Sequence, residues 1–424
     1  MDFQPLLRAV ATSNNLKMVR VGLEREGQRV TPDGQLATTD FKTVGMDRVA
    51  NVTRDFAETQ LELVTPVATS TAQALRELTT IQREVVGQLN PRELIWPLST
   101  PPQLPVDEQQ IVIAKLANRD AVTYRQYLAQ HYGRRRQMLS GLHFNFELAP
   151  QLVTAMFARQ NEYGTLAEFR NALYLHVAQN YLRYRWLITY RYGATPTSWP
   201  NLYVDQKQPK EPVRSLRNSR YGYVNAPDVR VSYQSLNAYL VDLVRLVQRG
   251  RLSEEKEFYG HVRLRGGHRV LDLATTGIEY LEIRHLDLNP YAPVGINRKQ
   301  LAFVHAFLLL MLWLPAPRAV DEAVKRGDGL NESVALQRPW ERPNALREGR
   351  WLMQQLAGML AQLPGPTPTT VIADVTRELN DPAQTLAARW WRACQTTDPT
   401  ELAVQLAERH GETLLDGSGF SGKG

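Results

Sequence analysis

The stretch Val19-Arg20-Val21-Gly22-Leu23-Glu24-Arg25-Glu26 constrains this chain more than any other. Side chains alternate across a strand, so Val19, Val21 and Leu23 fall on one face and Glu24 with Glu26 on the other. Two carboxylates sharing a sheet face repel unless something positive stands between them. A divalent cation answers that repulsion, since hard cations take carboxylate oxygens. A solvated edge strand with two ordinary surface glutamates answers it equally well. Taken alone, the stretch leaves both readings open.

Other extended segments repeat the pattern. Val52 to Val67 reads as extended, with Gln60, Glu62 and Val64 on one face, Leu61 and Leu63 on the other, and Asp55 near its start. In Gly141 to Leu148 the residues Phe144, Phe146 and Leu148 point inward, leaving His143, Asn145 and Glu147 on a polar face. In Gly277 to Arg284, Leu281 and Ile283 oppose Glu282 and Arg284. If these strands are neighbours, Glu24, Glu26, Asp55, Glu62 and Glu282 gather on one face. Such a cluster must hold cations, and several carboxylates with divalent ions is the pattern of ATP-dependent chemistry, in which Mg2+ also takes substrate phosphates. Arg263, Arg265 and Arg284 would meet phosphate oxygens, which planar guanidinium groups pair well. There is no GxxxxGK[ST] loop, so the P-loop route to phosphate is absent.

Between these segments the chain is mostly helical. Helices are expected at 2–16, 71–89, 107–139, 167–190 and 237–249, with a turn at Thr31-Pro32-Asp33-Gly34 and a proline-rich connection at 91–105. From 296 to 410 the pattern is helical, broken by a polar loop around 327–343, and 411–424 reads as a flexible tail. The run Leu301 to Leu314 contains His305, stops at Pro315, and is too short to span a bilayer. The net charge of +7 and the Arg183, Arg185 and Arg191 interleaved with tyrosines admit a nucleic-acid surface. Helical spacing instead turns the rings toward a core with the arginine stems along it. One cysteine, Cys394, excludes an internal disulfide framework and fits a reducing, cytoplasmic compartment. The fold class expected is α+β: one domain over 1–410, with its sheet motifs mainly in 18–290.

These residues carry a family resemblance. Val-Gly-Leu-Glu-Arg-Glu with Gly34-Gln35-Leu36-Ala37-Thr38-Thr39 is similar to the opening motif of bacterial glutamate–cysteine ligases of the type 1 family. Thr53 to Val67, Trp96-Pro97-Leu98-Ser99, Ser140 to Phe146 and Gly277 to Arg284 resemble that family's later motifs, in the same order. The resemblance implies a curved antiparallel sheet forming a funnel, related to glutamine synthetase. It implies that ATP phosphorylates the γ-carboxylate of L-glutamate and that the amine of L-cysteine attacks the acyl phosphate, the first step of glutathione biosynthesis.

By motif, Glu24, Glu26, Asp55, Glu62 and Glu282 resemble the ligands of Mg2+, or of Mn2+ in its place. Arg284 resembles the arginine that stabilises the transferred phosphoryl group, and Arg217 the one that holds the glutamate α-carboxylate. Tyr124, Leu128, Gln137, Leu139, His143 and Tyr223 fall where the family builds its cysteine pocket or the wall beside it. Partners would be small molecules, with no nucleic acid and no membrane, and a monomer is compatible with the sequence. Arg54 departs from the family, which commonly has Thr there, and puts a positive charge beside Asp55. Some relatives carry a C-terminal ATP-grasp domain; the length of this chain leads us to expect one ligation step. Two rivals remain on the same residues: a γ-glutamyl ligase with another amine acceptor, and a binding protein without turnover.

Overall fold

The structure is a computed structural model that describes residues 2–204, 208–364 and 370–417. Among the described residues seven strands build one sheet: β1 (Val19–Val30), β2 (Val52–Arg54), β3 (Gln60–Val64), β4 (Leu94–Ile95), β5 (Leu142–Leu148), β6 (Val262–Arg265) and β7 (Tyr280–Leu286). The order is β2-β3-β1-β5-β7-β6, with β4 beside the far end of β1. Every pairing is antiparallel. The acidic strands β3, β1, β5 and β7 are therefore consecutive neighbours, which is the condition the sequence could only pose.

One sheet face is apolar. Val19, Val21, Leu23, Leu61, Leu63, Phe144, Phe146, Leu281 and Ile283 are all buried there, beneath helices that include Thr71–Gln88, Leu166–Tyr184 and Arg298–Trp313. Burying each large side chain contributes roughly 1.5–3 kcal/mol, and register follows, because a slip of one residue would turn this set to the polar side. Arg298–Trp313 is apolar around almost its whole circumference because it lies inside the molecule. No described helix is long and apolar enough to cross a membrane.

Several elements differ from the sequence expectation. The extended segment at 52–67 is a hairpin, β2 against β3, turned at 55–59. Of the helix expected at 107–139, only Glu108–Gln110, Arg119–Tyr132 and Arg134–Gln137 are helical. The chain between bridges to β3's approach through Ala57 and Ile113. The loop expected at 327–343 is helical as far as Ala335. Gly327 lies in that helix because it packs onto Leu166–Tyr184, where an added Cβ would stand 2.2 Å from the Leu182 carbonyl oxygen. Of the tail expected at 411–424, residues 411–415 belong to the helix Pro399–Leu415, with Leu414 buried, and residues 418–424 lie outside the described residues.

The Arg/Tyr helix is not a nucleic-acid face. Arg183 pairs with Glu348, Arg185 with Asp328 and Arg191 with Glu378, and all three arginines are buried. Cys394 is half-buried and free, and burial pushes its thiol up to about 12.

Candidate active site

Cross-strand register assembles the polar face. Glu26 stands opposite Glu62, Glu24 opposite His143, and Glu282 opposite both Asn145 and Arg263. The His143 ring is central: its Nδ1 lies 3.0 Å from Glu24 Oε2 and 3.6 Å from Glu282 Oε1, and its Nε2 lies 3.4 Å from Glu26 Oε1. Asn145 donates to Glu24 Oε1 at 2.7 Å, and the Gly141 amide donates to Glu26 Oε2 at 2.7 Å. His143, expected beside the cysteine pocket, therefore sits among the carboxylates, because it is the direct register partner of Glu24.

The electrostatics divide the carboxylates into two kinds. Burial opposes the charge of Glu282, but Arg284, Arg263, His143 and Arg265 around it hold its carboxyl well below the usual range. Burial also works against Glu24, and hydrogen bonding and charge from His143 win, so it too is lowered. At Asp55 and Glu62 the nearby positive groups do not prevail. Burial, then the nearby Glu26, raises Asp55 to about 6. Burial, then Asp55, Glu24 and Glu26, raises Glu62 well above its ordinary value, with Arg125 only partly countering.

Two carboxylates and an imidazole form a donor set that fits a divalent cation. Ligand atoms of Glu24, His143 and Glu282 lie within 4.8 Å of one another. Burial is the first cause at Asp55 and Glu62, and the repulsion that adds to it, from Glu26 at Asp55 and from Asp55, Glu24 and Glu26 at Glu62, is what a bound cation would relieve.

The arginines surround one wall of this cluster. Arg284 pairs with Glu282 two residues away on the same strand face and lies over the Tyr259 ring at 5.2 Å. Arg265 stands 3.4 Å and Arg263 3.9 Å from Glu282. Arg217 is buried, donating to the carbonyls of Arg284 at 2.9 Å and Leu286 at 3.2 Å, with Asp287 at 3.6 Å. Its guanidinium lies directly on Gly141, where an added Cβ would stand 1.9 Å from Nη2. Two of its donors are thus committed to β7. Arg54 does not bear on Asp55 directly: it forms a doubly hydrogen-bonded pair with buried Glu58 at 3.1 Å and stacks on Phe41.

The remaining predicted residues fall into an aromatic wall and its floor. Leu128 and Leu139 belong to a separate apolar cluster with Phe56 and Leu216, and Tyr124 packs against it. Tyr223 meets Tyr259 edge-on at 4.7 Å and Tyr132 at 5.4 Å. Gln137 is partly buried, and its amide nitrogen has no protein partner.

Sequence reasoning passed over three contributors. Tyr259 joins the aromatic wall to Arg284, and only its neighbour Arg263 signalled this segment. Arg125 donates to the Asp55 and Arg54 carbonyls, placing a charge beside Asp55 and Glu62. Asn145 lay on the expected polar face without a role, and it orients Glu24.

Comparison with known proteins follows the same residues. The family model described as glutamate-cysteine ligase matches residues 5–251 and 248–330. The glutathione biosynthesis bifunctional protein GshAB of Enterococcus faecalis is 44% identical over 405 residues, which is 95% of this chain and 54% of that protein. The GshAB of Pasteurella multocida is 41% identical over 395 residues, 92% of this chain and 52% of that one.

Among solved structures, a bifunctional glutathione synthetase from Pasteurella multocida superposes with a TM-score of 0.89 at 38% identity, covering 97% of this chain and 54% of that chain. The glutamate–cysteine ligase of Francisella tularensis in complex with AMP gives 0.84 at 23% identity, covering 94% and 89%, and shares the fold. The chain spans about half the length of the curated relatives it matches. On the family match and the relatives at 41–44% identity, this chain belongs to the glutamate–cysteine ligase family.

Proposed function

We propose that this chain joins the γ-carboxylate of L-glutamate to the amine of L-cysteine with ATP, giving γ-glutamylcysteine, ADP and phosphate. The observation that carries the reading is the cluster in which Glu24, His143 and Glu282 converge beside Arg284, on a sheet face shared with Glu26 and Glu62 and close to Asp55 in the 55–59 turn. Divalent ions bound there would neutralise the phosphates and align them for transfer. Glu24, Glu26, Asp55, Glu62 and Glu282 would hold these ions, with Asn145 orienting Glu24 and the His143 ring between Glu24, Glu26 and Glu282.

Phosphoryl transfer needs positioning and charge stabilisation more than covalent help. A γ-carboxylate oxygen of glutamate attacks the terminal phosphorus of ATP, and ADP departs. Arg284, fixed by Glu282 and Tyr259, meets the charge that builds on the transferred group, with Arg263 and Arg265 along the same wall. The acceptor amine then attacks the acyl carbon, the bond to phosphate breaks, and the nitrogen gives up its proton. Arg217 stands at the edge of the cluster beside Gly141 as the candidate for the glutamate α-carboxylate. Tyr124, Tyr223, Gln137, Leu128 and Leu139 form the acceptor side, where the apolar floor suits a short side chain. The cell compartment that suits this reaction, and the single free cysteine, is the cytoplasm.

The test is ADP release with glutamate, Mg2+ and a panel of amines. Cysteine should give the largest rate above the acceptor-free background. If another amine exceeds it, the acceptor is reassigned; if no amine exceeds background, the ligase reading fails.

A further inference from the structure

One buried carboxylate beside the site has no part in the chemistry above. Asp287 follows directly on β7, the strand that carries Glu282 and Arg284, and its side chain is fully enclosed. Its Oδ2 accepts from the Ala194 amide at 2.8 Å, the Thr195 hydroxyl at 3.0 Å and the Ser215 hydroxyl at 2.8 Å. Its Oδ1 accepts from the Asn218 side-chain amide at 3.0 Å and stands 3.6 Å from Arg217 Nη1. A charge taken this far out of water is costly unless its neighbours are arranged for it.

Those neighbours bracket Arg217. Thr195 and Ser215 form a parallel bridge, and the Leu216 amide donates to the Thr195 carbonyl at 2.9 Å. The Arg217 amide donates to the Thr195 hydroxyl and the Asn218 amide to the Ser215 hydroxyl, both at 3.2 Å. Thr195, Ser215 and Asn218 are all buried. Arg217 is therefore held twice from the same strand end. Asp287 fixes its backbone through these side chains, and the carbonyls of Arg284 and Leu286 fix its guanidinium. A long side chain tied at both ends keeps one position where a free one would sample several rotamers.

We propose that Asp287 is a positioning residue for glutamate, presetting the 215–218 turn so that Arg217 keeps a set distance from Arg284. This rests on the ligase reading and on Arg217 as the holder of the α-carboxylate. The α-carboxylate at Arg217 and the γ-carboxylate that attacks phosphorus beside Arg284 are two ends of one molecule. The spacing between the two arginines thus decides whether that molecule can engage both. A carboxylate that merely drained charge from Arg217 would act in the opposite sense: its neutralisation would strengthen the arginine's hold on substrate and lower the glutamate KM.

The experiment is ADP release with glutamate and ATP varied separately. Asp287→Asn keeps the shape, removes the charge and turns one acceptor into a donor facing Asn218. It should raise the glutamate KM on the order of tenfold, the size of one charge-assisted hydrogen bond, and leave the ATP KM unchanged. In the double variant Asp287→Asn/Arg217→Ala the glutamate KM should match that of Arg217→Ala alone, because the turn then has no guanidinium to place. Thr195→Val, which removes one donor to Oδ2 and the acceptor for the Arg217 amide, should raise the glutamate KM about threefold. An unchanged or lowered glutamate KM in Asp287→Asn would overturn the proposal, as would parallel rises in both KM values or additive losses in the double variant. Should Asp287→Asn fail to fold, Thr195→Val decides, and an unchanged glutamate KM there is equally fatal. An unaltered glutamate KM in Arg217→Ala removes the premise and the proposal with it. No ADP release above background in the unaltered protein is a different result, and it rejects the ligase reading itself.

Discussion

Gly141→Ala is the most searching test of how the site is held. An added Cβ would lie 1.9 Å from Nη2, 2.3 Å from Cζ and 2.8 Å from Nε of Arg217. Ordinary contact begins near 3.4 Å, so the guanidinium must retreat by about 1.5 Å. It cannot do so freely, because it is buried and bonded to the carbonyls of Arg284 and Leu286. Hydrogen bonds involving a charged group contribute about 1.5–3 kcal/mol each, so losing one or both costs roughly 1.5–6 kcal/mol. The displacement also loosens the backbone of Arg284 and the Gly141 amide that holds Glu26. A misplacement of about 1 Å can cost on the order of 100-fold in rate.

The expected outcome is therefore a loss of about 100-fold in kcat/KM for glutamate in an ADP-release assay, with a lowered Tm. The double variant Gly141→Ala/Arg217→Ala should be little worse than Arg217→Ala, because the methyl group then meets no guanidinium. Near-unaltered kinetics in Gly141→Ala, or additive losses in the double variant, would refute the reasoning.

Two further outcomes follow from the same geometry. Asp55 is near 3.8 when unfolded and about 6 when folded, so between those values the folded state binds more protons. Its contribution to stability without metal therefore declines as pH rises through that window, and Glu62 extends the decline upward. Divalent binding needs the ionised groups, so Mn2+ affinity should climb from pH 5 to 7 with protons released, measured by calorimetry in two buffers; flat affinity would count against Asp55 and Glu62 as ligands. Separately, Gly327→Ala should lower stability by about 1–3 kcal/mol, because its Cβ meets the Leu182 carbonyl oxygen and Arg183 Cα. Its KM values should stay unaltered in the folded fraction, and an unchanged Tm would show that the helices can part there.

Alternation along β1, β3, β5 and β7 was enough to read which residues share the polar face, because strand geometry has a period of two whatever the neighbours are. The helix expected over 107–139 and the loop expected over 327–343 held only in part, for a different reason. At 107–118 the chain is drawn into the wall beside Asp55 by the Ala57–Ile113 bridge, and at Gly327 helix packing overrides the weak helical preference of glycine.

By itself the sequence determined the acidic face, the motifs that mark a glutamate–cysteine ligase, and the apolar face that fastens the sheet to its helices. Local period and residue type carry that information without any long-range contact. Only the tertiary structure decided that β3, β1, β5 and β7 are consecutive neighbours. It also decided that His143 sits among the carboxylates, that Glu58 draws Arg54 away from Asp55, and that Tyr259 lies beneath Arg284. Those are pairings between residues from 4 to well over 100 positions apart. Register, burial and the competition among charges settle them, and none of these exists until the chain has folded.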